Sequence, residues 1–197
     1  MIGILIPCMD MVHTDFHMSL LRLKRPSDTV ISHAKSSLVY DSRNALAETA
    51  VRRGYDRVLW LDSDMMFEPD LLERLSARLD EGYEMVTGIY TSRKPPITPC
   101  IYSNIDPGVH ATPYKDYPKG IFEVQGCGFG AVMMKTSLIR EVGESYGRPF
   151  SPAIGLGEDL SFCARVTDLG KKIWCDSTIQ LKHVGTYEYS VKDIGIL

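Results

Sequence analysis

The chain has 197 residues, 44% hydrophobic and 24% charged, the profile of an ordinary globular domain with enough apolar material for a core. A net charge of −3 gives no electrostatic case for general nucleic-acid binding; a nucleic-acid acceptor would need a local basic patch. No apolar run approaches the roughly 20 residues of a membrane span, and residues 1–8 lack the length and basic start of a signal peptide.

Ile2 to Ile6 form an apolar strand that Pro7 ends, so Pro7 and the following Cys8-Met9-Asp10 are expected at its carboxyl edge. His13 to Leu23 has helical character, with Phe16, Leu20 and Leu23 on one stripe. His13 and His17 share a helix face, a spacing that can bind zinc, but no Glu follows His13 and no third ligand is evident. A solvated helix face is the favoured reading. Thr29 to His33 is a second strand, and Ala34 to Tyr40 reads as a polar turn. Asp41 or Ser42 then caps a helix that carries Ala45, Leu46, Thr49, Ala50 and Arg53 at helical spacing and ends at Gly54. Arg43 falls in its first turn, where it suits a phosphate or a uracil carbonyl; the alternative is a surface salt bridge.

Val58 to Leu61 shows no polar alternation and reads as a strand buried on both faces. Asp62-Ser63-Asp64 follows at once, on the edge where ligands bind in open α/β sheets. Two carboxylates there form either a strand-to-helix turn or a hard oxygen site for Mg²⁺ or Mn²⁺ shared with a phosphorylated ligand. A helix from Pro69 to Gly82 buries Leu71, Leu72, Leu75 and Leu79, and Met85 to Tyr90 is the next strand. Strands alternating with helices imply a layered α/β sheet with parallel pairs.

Thr91 to Gly120 breaks the alternation. It is rich in Pro and Tyr, reads as a lobe or lid with one short hairpin, and its tyrosines either stack on a ligand or anchor the loop. Ile121 to Gln125 is a half-exposed strand. Gly126 and Gly128 lie in a Gly-Cys-Gly-Phe-Gly run that suggests a bulge or close ligand approach. Thr136 caps a helix through Val142 that Gly143 ends, and Gly157-Glu158-Asp159 opens another. Ile173 to Cys175 and Ile179 to Leu181 are two short strand pieces. His183 follows the second, placed to add a nitrogen ligand to the metal site, and a tail of 186–197 has no strong pattern. The five cysteines are odd in number and lack metal-ligand spacing, which suggests free thiols in a reducing, cytoplasmic setting.

Taken as a series, Pro7, Arg43-Asn44, Asp62-Ser63-Asp64, Gly157-Glu158-Asp159 with Phe162 and Arg165, and His183-Val184-Gly185 resembles the family 2 glycosyltransferases of the GT-A fold. The resemblance spans nearly the whole chain. It implies a single domain, 1–197, with a mixed, mostly parallel sheet flanked by helices. Residues 1–90 would be the nucleotide-binding half and 91–197 the acceptor-side half. It further implies sugar transfer from a UDP- or GDP-sugar to an acceptor hydroxyl, commonly with inversion. Asp64 would bind Mn²⁺ or Mg²⁺ directly, with His183 joining it and Asp62 acting through the ribose or a water. Asp159 would be the general base and Glu158 its support. Pro7, Asp10, Ser37, Arg43, Asp62, Gly126 and Gly128 would face the donor. The aspartate pair that family members usually carry at the end of the second strand is missing, so Ser37, Asp41 or Arg43 would take over the base contacts. The acceptor is open: a glycan, a lipid-linked sugar, a protein side chain, a small metabolite or a modified DNA base. The competing readings are a nucleotide-sugar hydrolase or nucleotidyltransferase, and a non-catalytic nucleotide-sugar-binding module.

Overall fold

The computed structural model describes residues 1–93, 95–106, 110–153 and 155–185, so the tail of 186–197 lies outside the described residues. In chain order the elements are β1 (Ile2–Cys8), α1 (Thr14–Arg22), β2 (Thr29–Lys35), α2 (Val39–Arg53), β3 (Arg57–Leu61), β4 (Met65–Met66), α3 (Leu71–Asp80), β5 (Met85–Ile89) and β6 (Ile101–Asp106). They continue with β7 (His110–Pro113), β8 (Ile121–Val124), β9 (Gly126–Cys127), β10 (Ala131–Lys135), α4 (Thr136–Tyr146), α5 (Glu158–Asp168), β11 (Ile173–Gln180) and β12 (Lys182–His183).

A seven-stranded sheet of order β2-β1-β3-β10-β5-β11-β8 carries the fold. β1 pairs in parallel with β2 and β3, and β5 in parallel with β11. β10 lies antiparallel between β3 and β5, and β8 is the antiparallel edge. The sheet is therefore mixed and mostly parallel. Its side chains feed two apolar layers: Val58 and Trp60 face α2, α4 and α5, while Leu59 and Leu61 face α1 and α3. All four are fully buried, as expected for a strand with helices on both faces. Leu71, Leu72, Leu75 and Leu79 do form the buried stripe of α3; truncating Leu75 to Ala would cost about 2–5 kcal/mol.

Several local expectations are corrected. β2 runs on to Lys35 and α2 begins at Val39, so 34–40 is not a turn throughout. Ser36 Oγ accepts from the Leu38 N–H at 3.1 Å and makes the bend, which places Asp41 and Ser42 inside the helix instead of at its cap. The buried residues of α2 are Ser42, Arg43, Asn44, Leu46, Ala47 and Ala50, with Ala45 and Arg53 exposed. Gly54, at φ 66°, closes the helix in the left-handed conformation. α4 runs through Gly143 to Tyr146: a side chain at 143 would meet Pro149, and the Gly147 N–H still bonds Gly143 O at 2.9 Å. The Thr136 hydroxyl caps nothing, since Thr136 is the first helical residue. The two late strand pieces are one strand, β11, with an irregularity between Cys175 and Gln180. Asp176 lies within it, buried and paired with Arg78 at 2.8 Å.

The Pro- and Tyr-rich segment does hold a hairpin: β6 pairs with β7, and β9 completes a small three-stranded sheet. Tyr114 and Tyr117 pack against Phe122 at 5.7 and 6.4 Å between ring centroids and anchor the segment. The five cysteines are free, and Cys127, Cys163 and Cys175 are buried.

Candidate active site

The loop after β3 is held by its backbone. The Asp62 N–H donates to Gly130 O at 3.3 Å, the His13 N–H to Ser63 O at 2.9 Å, and the Val184 N–H to Asp64 O at 2.8 Å. The last bond extends the short antiparallel ladder in which β12 sets His183 opposite Met65 of β4. That register carries a residue from the far end of the described chain to the side of Asp64.

The two aspartates face different partners. Asp62 Oδ1 accepts from Arg43 Nη2 at 2.8 Å, and Arg43 Nε donates to Glu158 Oε1 at 3.1 Å. Arg43 is only 2% exposed, and its guanidinium lies over Trp60 and Phe129, at 5.8 and 5.2 Å from the ring centroids. Burial would lower its pKa, but Asp62, Glu158 and Asp159 together raise it. Asp64 Oδ2 meets Arg93 Nη1 at 2.6 Å and His183 Nε2 at 3.4 Å. Burial would raise the Asp64 carboxyl, but His183 and Arg93 hold it below the usual carboxylate range.

Asp159 stands at the start of α5 with its Oδ1 accepting from the Leu160 N–H at 2.7 Å. A helix start lowers a carboxylate pKa. Here burial prevails, reinforced by neighbouring Glu158 and opposed by Arg43, and the Asp159 carboxyl is pushed up to about 6.

These groups line one cleft of about 600 Å³, which Pro7, Arg43, Asp62, Asp64, Gly128, Glu158, Asp159 and His183 all share. Met9, expected at the carboxyl edge of β1, and Tyr102, one of the tyrosines of the 91–120 segment, line it too, as do Arg93, Ser36 and Val39, to which the sequence assigned no role. Arg93 lies in a segment with no periodic pattern, and no local sequence signal marked it. Arg43 is corrected in one respect: its Nε and Nη2 are taken by carboxylates, and it is a buried link and not a surface cation. Gly126 is outside the cleft, packed beneath Ile105. Gly128 and Gly130 make room for Tyr90, whose hydroxyl accepts from the Gly130 N–H at 3.0 Å. The glycine run thus admits protein side chains. Asp10 pairs with Lys35 at 2.5 Å, and neither it nor exposed Ser37 lines the cleft. His17 is exposed on α1, and His13, also exposed, is the extended residue just before its first turn. A groove of about 670 Å³ between α2 and α4 lies away from these carboxylates, and its charged lining is balanced, with Asp41, Glu48 and Glu144 against Arg52, Arg140 and Arg148.

A divalent cation fits at Asp64 on two observations. Asp64 Oδ1 is buried and has no hydrogen-bond partner. His183 Nδ1 lies 2.9 Å from Thr91 O; a carbonyl only accepts, so Nδ1 carries a proton, and Nε2 is the nitrogen turned toward Asp64, where a cation would take the place of any proton it carries. Such an arrangement, with the second nitrogen donating to a carbonyl, is typical of ligating histidines. Among the described residues, no group of three or more His, Cys, Asp or Glu side chains converges as a metal shell. Phosphate oxygens and waters would complete a Mg²⁺- or Mn²⁺-type shell built on these two side chains.

No protein-family model matches the chain, and no curated protein matches it in sequence. Solved structures do. A197 from STIV superposes with a TM-score of 0.68 at 23% identity, over 94% of this chain and 86% of that one. GalNAc-T7, solved with UDP, GalNAc and Mn²⁺, gives a TM-score of 0.66 at 10% identity, over 95% of this chain and 43% of that one. This chain therefore spans less than half the length of GalNAc-T7. At these identities the likeness is one of fold: a single mixed α/β domain resembling the GT-A glycosyltransferases. No helix among the described residues is long and apolar enough to cross a membrane.

Proposed function

We propose that this chain is a metal-dependent, family 2-like glycosyltransferase, moving a sugar from a UDP- or GDP-sugar to an acceptor hydroxyl with inversion. One observation carries the reading. Asp64, with its orphaned buried oxygen, and Asp159, with its raised pKa, line the same cleft at the carboxyl edge of a GT-A-like sheet. GalNAc-T7, of similar fold, was solved with a nucleotide, a sugar and Mn²⁺, which supports the assignment of ligand class.

In this reading Asp64 and His183 hold Mn²⁺ or Mg²⁺, which supplies Lewis-acid stabilisation of the departing diphosphate. Asp159 accepts the proton of the acceptor hydroxyl as that oxygen attacks the anomeric carbon from the face opposite the leaving group. A carboxylate with a pKa near 6 is a better base than an ordinary surface aspartate. Glu158 and Asp62, tied through Arg43, position the DSD loop and the start of α5 relative to each other. Asp62 then reaches the donor ribose directly or through water, and Pro7 and Gly128 line the donor's path. The 1–90 half binds nucleotide, and the 91–197 half receives acceptor. Free thiols fit a reducing, cytoplasmic compartment.

The test is a donor screen with Mn²⁺, read by mass spectrometry of the products. Transfer to an added acceptor supports the reading. Donor hydrolysis that no acceptor diverts favours a hydrolase, and nucleotide binding without turnover favours a binding module.

A further inference from the structure

Arg93 has no role in the mechanism above, yet it makes the shortest contact to the residue on which that mechanism depends. Its Nη1 lies 2.6 Å from Asp64 Oδ2, while Asp64 Oδ1 has no partner. A guanidinium and a divalent cation cannot share one carboxylate at close range without strong like-charge repulsion. The Arg93 backbone is fixed by a clasp: the Ser92 N–H donates to Thr98 O at 2.9 Å, and Thr91 bridges to Pro99. Its aliphatic stem lies along Gly185, where a Cβ would sit 3.3–3.5 Å from Arg93 Cβ, Cγ and Cδ. The side chain is 49% exposed and lines the cleft. A fixed base, a supported stem and a half-exposed head allow the charge to swing without backbone movement.

We infer that Arg93 is a resident counter-ion of Asp64 that a divalent cation must displace, and that the displaced guanidinium then grips the donor diphosphate. The inference rests on the metal–diphosphate reading of the site. Before ligand arrives, Arg93 neutralises a partly buried carboxylate. After the metal takes Asp64, the diphosphate is the new negative charge in the cleft, and a guanidinium fork suits phosphate oxygens. Arg93 in this sense couples the two ligands: it makes metal and nucleotide binding depend on each other.

The test is calorimetry on the wild-type protein and on R93Q, R93K and D64N, titrating Mn²⁺ alone and then UDP and GDP at saturating Mn²⁺. The expected result has opposite signs on the two arms. R93Q binds Mn²⁺ alone up to about fivefold more tightly, the size of one partly exposed ion pair, and binds the diphosphate about tenfold more weakly. R93K, which keeps the charge, stays near wild type on the metal arm. If the wild-type protein binds Mn²⁺ and D64N does not, but R93Q leaves Mn²⁺ affinity unchanged or lower, Arg93 is not the resident counter-ion and the metal site stands. Tighter metal with unchanged diphosphate affinity overturns the grip. If no variant binds Mn²⁺ with or without nucleotide, the metal reading itself fails, and this inference with it.

Discussion

Arg43 Nη2 and Asp62 Oδ1 meet at 2.8 Å inside a pocket of aromatic rings. Through its Nε, the same guanidinium also holds Glu158, so one buried cation from α2 ties the loop after β3 to the start of α5. Replacing Arg43 by Met is expected to leave two partly buried carboxylates without a counter-charge and to destabilise the fold by about 3–5 kcal/mol. Arg43→Lys should recover only part of this, because an ammonium cannot span both carboxylates in the same plane. Urea unfolding of the variants measures it; a change below about 1 kcal/mol would show that the link is not structural.

The raised pKa of Asp159 sets a direction for pH dependence. The carboxyl is protonated below about 6 and charged above it, so the transfer rate should climb through about pH 6 and then level off. Stability runs the other way. The folded-state value lies above the unfolded one, so this group's contribution is full below the unfolded value and is lost as pH rises through about 6. Asp159→Asn should keep donor affinity, lower transfer about 10²–10⁴-fold and remove the pH-dependent limb. Wild-type-like transfer by that variant would exclude Asp159 as the base.

Tyr90 supports the site from below. Its hydroxyl accepts from the buried Gly130 N–H at 3.0 Å, and Gly130 O in turn accepts from Asp62 N at 3.3 Å. Tyr90→Phe strands that N–H and should cost about 1–3 kcal/mol, read as a lower unfolding midpoint. Gly128→Ala should do comparable harm, because its methyl group would strike the Tyr90 hydroxyl.

His183 is expected to matter for metal and not for fold. His183→Ala should weaken Mn²⁺ binding about 10- to 100-fold while its thermal unfolding stays within a few degrees of wild type. Calorimetry and thermal scans on one preparation separate the two effects.

Much of the layering was legible in the sequence. The unbroken apolar run Val58–Leu61 and the leucine stripe of α3 need only periodicity, and both lie where that periodicity puts them. The cleft's composition was partly legible, because Asp62, Asp64, Glu158 and Asp159 occupy ends of elements that local sequence locates. What escaped depends on long-range pairing. The insertion of β10 between β3 and β5 cannot be read from an apolar run such as Val132–Met134, which fits either strand direction. The burial of Arg43 follows from carboxylates 19 and 115 residues away, and Arg93 reaches Asp64 from a segment without repeat or period. The glycines at 126 and 128 announced close approach, but sequence gave no sign that Ile105 and Tyr90 were the groups approaching.

The most direct measurement of the central claim is calorimetric titration of UDP and GDP into the protein with Mn²⁺ and with EDTA, repeated on Asp64→Ala. The expected result is nucleotide binding that requires Mn²⁺ and is lost with the Asp64 carboxylate. Binding that is equal in EDTA and unchanged by Asp64→Ala, or no binding of either nucleotide under any condition, would contradict a metal–diphosphate site at Asp64.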